Sequence, residues 1–317
     1  MTVDIQVVTQ TGLTLLVVIC IGFLAQKLGF MDKTLTQKLS TFTMCVAQPC
    51  MLFTSISGAP YSRENLKTGF FVLLLAFCVH VVMALMARGT VCFYRDPDEK
   101  KITQFSLLFV NCAFVGYPIL EAAFGEIGRF WGAFWVICFN MLIWTLGIVI
   151  IGRGRDDIKM NFKKVFLNYG TVPCVVGLLA YIVRLPVPAV LMEGMSYVGG
   201  LCTPVALLVI GANLARIPLK SLFCDWKLYY FAVMRLLVFP LAITLLCRLA
   251  GLGDTWCLFC CVMAALPTAA NTVMFAEMYD VRPDIAARTV GIAAFLSMLT
   301  IPLSVYLANV MLKLFSC

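Results

Sequence analysis

Two stretches of this chain place proline and asparagine where an apolar segment has least use for them. They read FVNCAFVGYPILEAAFG from Phe109 and MAALPTAANTVMFAEMYD from Met263, and both are otherwise greasy enough to cross a bilayer. Pro118 and Pro267 each remove a backbone donor, and Gly116 loosens the first stretch further. Non-helical backbone at mid-membrane is tolerated only where protein or a water-filled cavity surrounds it. Two such breaks meeting at one point would aim half-helix N-termini at it, with their positive ends and free N–H groups. That chemistry suits an anion such as a carboxylate. The competing reading is that both prolines merely kink their helices. Matched breaks, each with Pro, Asn and small residues, favour a substrate site.

Other polar side chains fall inside apolar runs. His80, the sole histidine, could relay a proton or neutralise an anion, or could be a neutral ring bonded to a backbone carbonyl between helices. Arg235 is expected to snorkel to the surface or enter a structural ion pair, with drawing anions inward as the other reading. Glu121 and Glu277, a turn or two beyond the breaks, read best as solvated helix ends, with pairing to Arg or a coupling proton as the alternatives. Asn140 and Ser297 are expected to bond across helices. Gln48 and Thr203, each beside a proline, are candidates for lining the cavity opposite the breaks. No nucleophile–base pair, metal cluster or phosphate loop is visible, so an enzyme is disfavoured. The fifteen cysteines are scattered, and WCLFCC (Cys257, Cys260, Cys261) has no second pair or histidine nearby, so it reads as small apolar filler.

The elements that must carry these residues are transmembrane helices. The chain has 317 residues, 62% hydrophobic and 13% charged, with mean hydropathy +0.97; a soluble domain carries about twice that share of charge. Apolar runs near 8–28, 35–57, 66–88, 102–124, 128–152, 164–184, 189–215, 227–250, 255–279 and 285–312 predict ten spans in an all-α integral membrane protein. Residues 8–28 are expected to be a retained span, because the N-terminus lacks a basic n-region and a small-residue cleavage site. Across alternate loops, seventeen Lys and Arg fall on one side and six on the other. The basic side is expected to be cytoplasmic, which puts both termini outside. The net charge of +8 is thereby topological, and no nucleic-acid partner is expected.

Five spans per half means that the second half enters the membrane from the opposite side. Pro49 maps onto Pro204 and His80 onto Arg235 at an offset of 155, Glu121 onto Glu277 at 156, and Asn140 onto Ser297 at 157. This drift predicts an inverted repeat of residues 1–152 and 164–317, joined by a short basic cytoplasmic loop at 153–163.

At NCAFVGYPIL (111–120), TPVALLVIGANLA (203–215), AALPTAANTVMFAEMYD (264–280) and TIPLSVYL (300–307) the sequence resembles the auxin efflux carrier family, the bacterial transporters related to plant PIN carriers. The resemblance covers nearly the whole chain. It implies a five-plus-five inverted repeat like that of bile-acid symporters and sodium/proton antiporters. Spans 1, 2, 6 and 7 would form a scaffold, often dimeric, and spans 3–5 and 8–10 a moving transport domain. Spans 4 and 9 would cross at unwound prolines. Carried over, the crossover positions are Asn111, Pro118, Pro267 and Asn271, with Thr268, Thr272 and Gly116 as neighbours. The asparagines can donate N–H to a carboxylate without burying a fixed charge. The implied function is secondary transport of a small organic anion, such as malonate, malate, lactate or an auxin-like acid, across the cytoplasmic membrane. No cofactor is implied beyond a coupling ion, H+ or Na+. The long central loop of plant PIN proteins is missing. A carboxylate sensor without net flux is the rival, weakened because no signalling domain is visible; a channel would need a continuous polar stripe.

Overall fold

The computed structural model describes residues 3–155, 166–218 and 225–315. Its helices are α1 (Ile5–Lys27), α2 (Lys33–Ser57), α3 (Arg63–Thr90), α4 (Pro97–Leu108), α5 (Gly116–Phe124), α6 (Glu126–Ile151), α7 (Thr171–Val183), α8 (Ala189–Arg216), α9 (Trp226–Leu249), α10 (Asp254–Ala265), α11 (Asn271–Met278) and α12 (Pro283–Leu314). Seven of them, α1, α2, α3, α6, α8, α9 and α12, are long and apolar enough to cross a membrane. The protein is an all-helical, multi-pass membrane protein. Two expected spans, 102–124 and 255–279, are each a pair of shorter helices, α4–α5 and α10–α11. Of the basic loop expected at 153–163, residues 156–163 lie outside the described residues, as does Lys220.

Local chemistry sets the helix ends. Carboxylates of Asp4, Asp32, Asp96 and Asp225 accept backbone N–H groups at the starts of α1, α2, α4 and α9, which fills donors that a helix N-terminus leaves open. Gly125, at φ 72°, makes the turn between α5 and α6, a backbone conformation that glycine adopts without a Cβ penalty. Inside α2 and α9 the ladder widens to a π turn at Thr43–Ala47 and Met234–Val238, just ahead of Pro49 and Pro240. Each proline lacks the N–H that would bond back one turn, and the π turn absorbs the mismatch.

Helices that are apolar all round belong in the interior. Residues 101–117 and 257–269 are buried without a gap, so both interrupted pairs run through the centre of the molecule. By contrast, α1 exposes Val7, Leu13, Val17, Ile21 and Leu24, a face suited to lipid. Its other face meets α8 at very short range. A Cβ at Gly22 would lie 2.2 Å from the Leu208 carbonyl oxygen, and one at Gly211 would lie 2.0 Å from that of Ile19. Small residues let helix backbones approach where no hydrophobic effect drives association.

On the basic face, ion pairs tie the starts of α4, α9 and α12 to one another: Arg282–Asp96 at 2.6 Å, Lys227–Glu99 at 2.8 Å and Arg288–Asp225 at 3.0 Å. The Asp98 backbone N–H, with Arg282 beside it, holds the Asp96 carboxyl below the usual carboxylate range, and the hydrogen bond from Arg282 does the same to Asp284. Arg216 clamps the other helices of this face, donating to Gln26 Oε1, Thr36 Oγ1 and the Met31 carbonyl.

Candidate functional site

Between Leu108 and Gly116, and again between Ala265 and Asn271, the backbone leaves the helix. The two unwound stretches meet in an antiparallel bridge of Val110 with Thr268. The Asn111 N–H donates to the Pro267 carbonyl at 2.7 Å, and the Ala269 N–H to that of Phe109 at 2.9 Å. Backbone groups released by one break are thus satisfied by the other, as a core without water requires.

Asn111 is the hinge of this arrangement. Its Oδ1 accepts the Phe114 N–H at 3.2 Å and its carbonyl accepts the Gly116 N–H at 3.1 Å, which together start α5. Its Nδ2 is buried and has no partner. A buried donor left open costs about 1–3 kcal/mol until something accepts from it. A Cβ at Gly116 would lie 3.0 Å from Leu266 Cδ1, so glycine there lets the second break pack onto the start of α5.

The remaining expected site residues divide. Pro267 lies within the unwound stretch, but Pro118 is the third residue of α5. The expectation of two unwound prolines is therefore half corrected: a first-turn proline forfeits an N–H that has no intrahelical acceptor. Thr268 donates its hydroxyl to the Ser106 carbonyl at 3.0 Å, which commits that donor to structure. Asn271 is the half-buried first residue of α11, and Thr272 beside it is fully buried with an unpartnered hydroxyl. Gln48 and Thr203 are half-buried beside the irregularities of α2 and α8, and no hydrogen bond joins them to the breaks among the described residues.

Arg235 corrects the sequence reading. It neither snorkels nor joins an ion pair among the described residues; it is 0% exposed. Its Nη1 donates to the Ala264 carbonyl and its Nη2 to that of Leu266. These carbonyls lie at the C-terminal end of α10, where helix geometry leaves acceptors free and a cation is favoured. His80, its expected counterpart, instead bonds through Nδ1 to the Ala76 carbonyl of its own helix at 2.7 Å, and its ring packs on Trp135. The acceptor is a carbonyl, as in the packing alternative, but it belongs to the same helix and does not bridge two helices. Ser297 likewise bonds within its own helix, to the Ala294 carbonyl, and not across helices as expected. Asn140 is buried against Gly170, its Nδ2 unpartnered. Glu121 is exposed and stands 3.7 Å from Arg129, and Glu277 is exposed at the end of α11.

Sequence reasoning missed two contributions. Ser106 and Thr289 hydrogen-bond at 3.0 Å, linking α4 to α12 beside the break. An open groove of about 330 Å³ is lined by Val7, Gln10, Thr11, Thr14 and Leu15 of α1 together with Pro118. The signal for it was present: Gln10, Thr11 and Thr14 share one helical face of an otherwise apolar span.

A family profile described as membrane transport protein matches residues 7–305. A protein of Rhizobium meliloti named "Putative malonate transporter" is 26% identical over 279 residues, 85% of this chain and 86% of that one. Uncharacterized transporters of Methanocaldococcus jannaschii and Methanothermobacter thermautotrophicus are each 22% identical, over 92% and 93% of this chain and 96% of theirs.

Proposed function

Because the chain belongs to the membrane transport protein family, we propose that it is a secondary transporter that carries a small organic anion across the cytoplasmic membrane by alternating access. The anion binds where the two breaks meet. The single observation behind this reading is the buried, unpartnered Nδ2 of Asn111, placed at the start of α5 and next to the unwound Pro267. Asn271 and Thr272, opening α11, supply the second half of the site, and the α1 groove beside Pro118 is its access route.

The architecture of this reading is ten spans in two inverted halves, with α4–α5 and α10–α11 as crossing spans 4 and 9. Support comes from the repeat offset. Adding 156 to the unwound residues 109–115 gives 265–271, against 266–270 in the second half. Adding 155 to the π turn at 43–47 gives 198–202, where α8 is interrupted at Leu201. The scaffold is α1, α2, α7 and α8, through which two copies dimerise. The transport domain is α3–α6 with α9–α12, held together on its basic face by the Asp96–Arg282 and Glu99–Lys227 pairs. That face is cytoplasmic, and both termini are outside.

Malonate is the first probe, since one relative is named for it. The test is a thermal-shift screen of purified protein against mono- and dicarboxylates, with and without sodium and across pH. Radiolabelled uptake into proteoliposomes follows for each hit. The expected result is stabilisation by at least one carboxylate that is also transported. Stabilisation by none, or binding without flux in either direction, defeats the transporter reading.

A further inference from the structure

Four helix ends converge on the breaks, and their electrostatics oppose one another. The N-termini of α5 and α11 bring partial positive charge, while the C-termini of α4 and α10 bring partial negative charge. Left alone, the four ends roughly cancel, and the site has no built-in preference for an anion. The carbonyls at the end of α4 are met by neutral donors only: Thr268 Oγ1 on Ser106, and the Ala269 N–H on Phe109. Those at the end of α10 are met by a full charge, the guanidinium of Arg235 on Ala264 and Leu266. Arg235 is fully buried, pairs with no carboxylate among the described residues, and keeps its Nε unpartnered. His80, at the matched position in the other half, touches its own helix instead.

Resting on the anion-site reading above, we propose that Arg235 is the specificity-determining residue for substrate charge: it cancels the negative end of α10, so that the meeting point of the breaks is net positive. It acts through the backbone as a positioning residue and does not touch substrate. The relay is short, because the Leu266 carbonyl it holds precedes the Pro267 carbonyl that accepts from Asn111. Two or three peptide units put the guanidinium roughly 8–10 Å from an anion at Asn111. With an effective dielectric near 20, that charge changes affinity about 15- to 30-fold per unit of substrate charge. A neutral ligand of the same shape feels almost none of it.

The test compares malonate with malonamide, its uncharged diamide, by competition calorimetry on monodisperse parent, Arg235→Gln and Arg235→Lys. Glutamine still donates to one carbonyl but carries no charge. The expected result is that Arg235→Gln loses at least about 15-fold of the acid-over-amide preference while malonamide affinity stays within about threefold, and that Arg235→Lys keeps most of the preference. Equal weakening of both ligands in Arg235→Gln marks a purely structural role and overturns the proposal, as does an undiminished preference. If Arg235→Gln does not stay monodisperse, Arg235→Lys decides: a well-folded lysine variant that has lost the preference overturns the charge account. A parent that prefers no carboxylate over its amide, malonate or any other acid of the panel, overturns the anion-site reading and this inference together. A preference present in the parent and kept by Arg235→Gln overturns this inference alone.

Discussion

Asn111 performs two separable tasks, and substitutions can pull them apart. Its Oδ1 holds the turn ahead of α5 by accepting from Phe114, and its Nδ2 is the open donor. Asn111→Ala removes both. Loss of that turn hydrogen bond costs about 0.5–1.5 kcal/mol of stability. Loss of a donor to a charged acceptor costs about 1.5–3 kcal/mol of binding, which is roughly a 10- to 100-fold weaker affinity. Asn111→Asp keeps an acceptor for the Phe114 N–H, but it buries an unpaired carboxylate at a 4% exposed position, which costs more than the nearby helix N-terminus returns. It also lacks the donor and repels the substrate. The aspartate variant should therefore bind worst, by more than its loss of stability relative to the alanine variant accounts for. Calorimetric affinity for the carboxylate found by screening, together with melting temperature at about pH 7.5, reads both scales. If the breaks were kinks only, affinity would follow stability. An alanine variant that stays monodisperse and binds within about twofold of the parent refutes the assignment of the donor.

Gly211→Ala places a methyl group 2.0 Å from the Ile19 carbonyl oxygen, backbone against backbone, so it should cost 1–3 kcal/mol or more by the usual scale of about that size for overpacking; an unchanged melting temperature contradicts the α1–α8 packing. Acid should destabilise the basic face. Asp96 and Asp284 have carboxyls held below their ordinary value of 3.8, so their contribution is complete above that value and is lost as pH falls through the lowered one. Melting temperature is expected to drop as pH falls below about 4, with a smaller drop in Asp284→Asn; identical profiles count against the Arg282 cluster. For topology, on a background with all fifteen cysteines replaced, Arg63→Cys should react with an impermeant reagent in intact cells, while Lys33→Cys should react only after lysis. The reverse pattern inverts the assignment.

Much of the architecture was legible because the bilayer imposes few solutions. Span length, apolar composition and the uneven placement of Lys and Arg are one-dimensional signals, and they located the long helices to within a few residues. Pro267 with Asn271, and Gly116 with Pro118, marked the breaks for the same reason: their local backbone effects do not depend on what lies nearby.

Partnership was not legible, because it depends on which helices touch. Nothing in the sequence near Arg235 announced that two carbonyls of α10 would receive its guanidinium; hydropathy alone sends an arginine to the surface. Thr268 looked as free to meet a ligand as Thr272 until Ser106 took its hydroxyl. Asn140 and Ser297 occupy matched sequence positions but have different surroundings, the one against Gly170 and the other bonded to its own helix. The sequence by itself determined the medium, the helices and the positions where they fail. Only the tertiary structure decided which polar atoms remain open once neighbours are satisfied, because hydrogen-bond satisfaction in a dry interior is settled by contact and not by residue type.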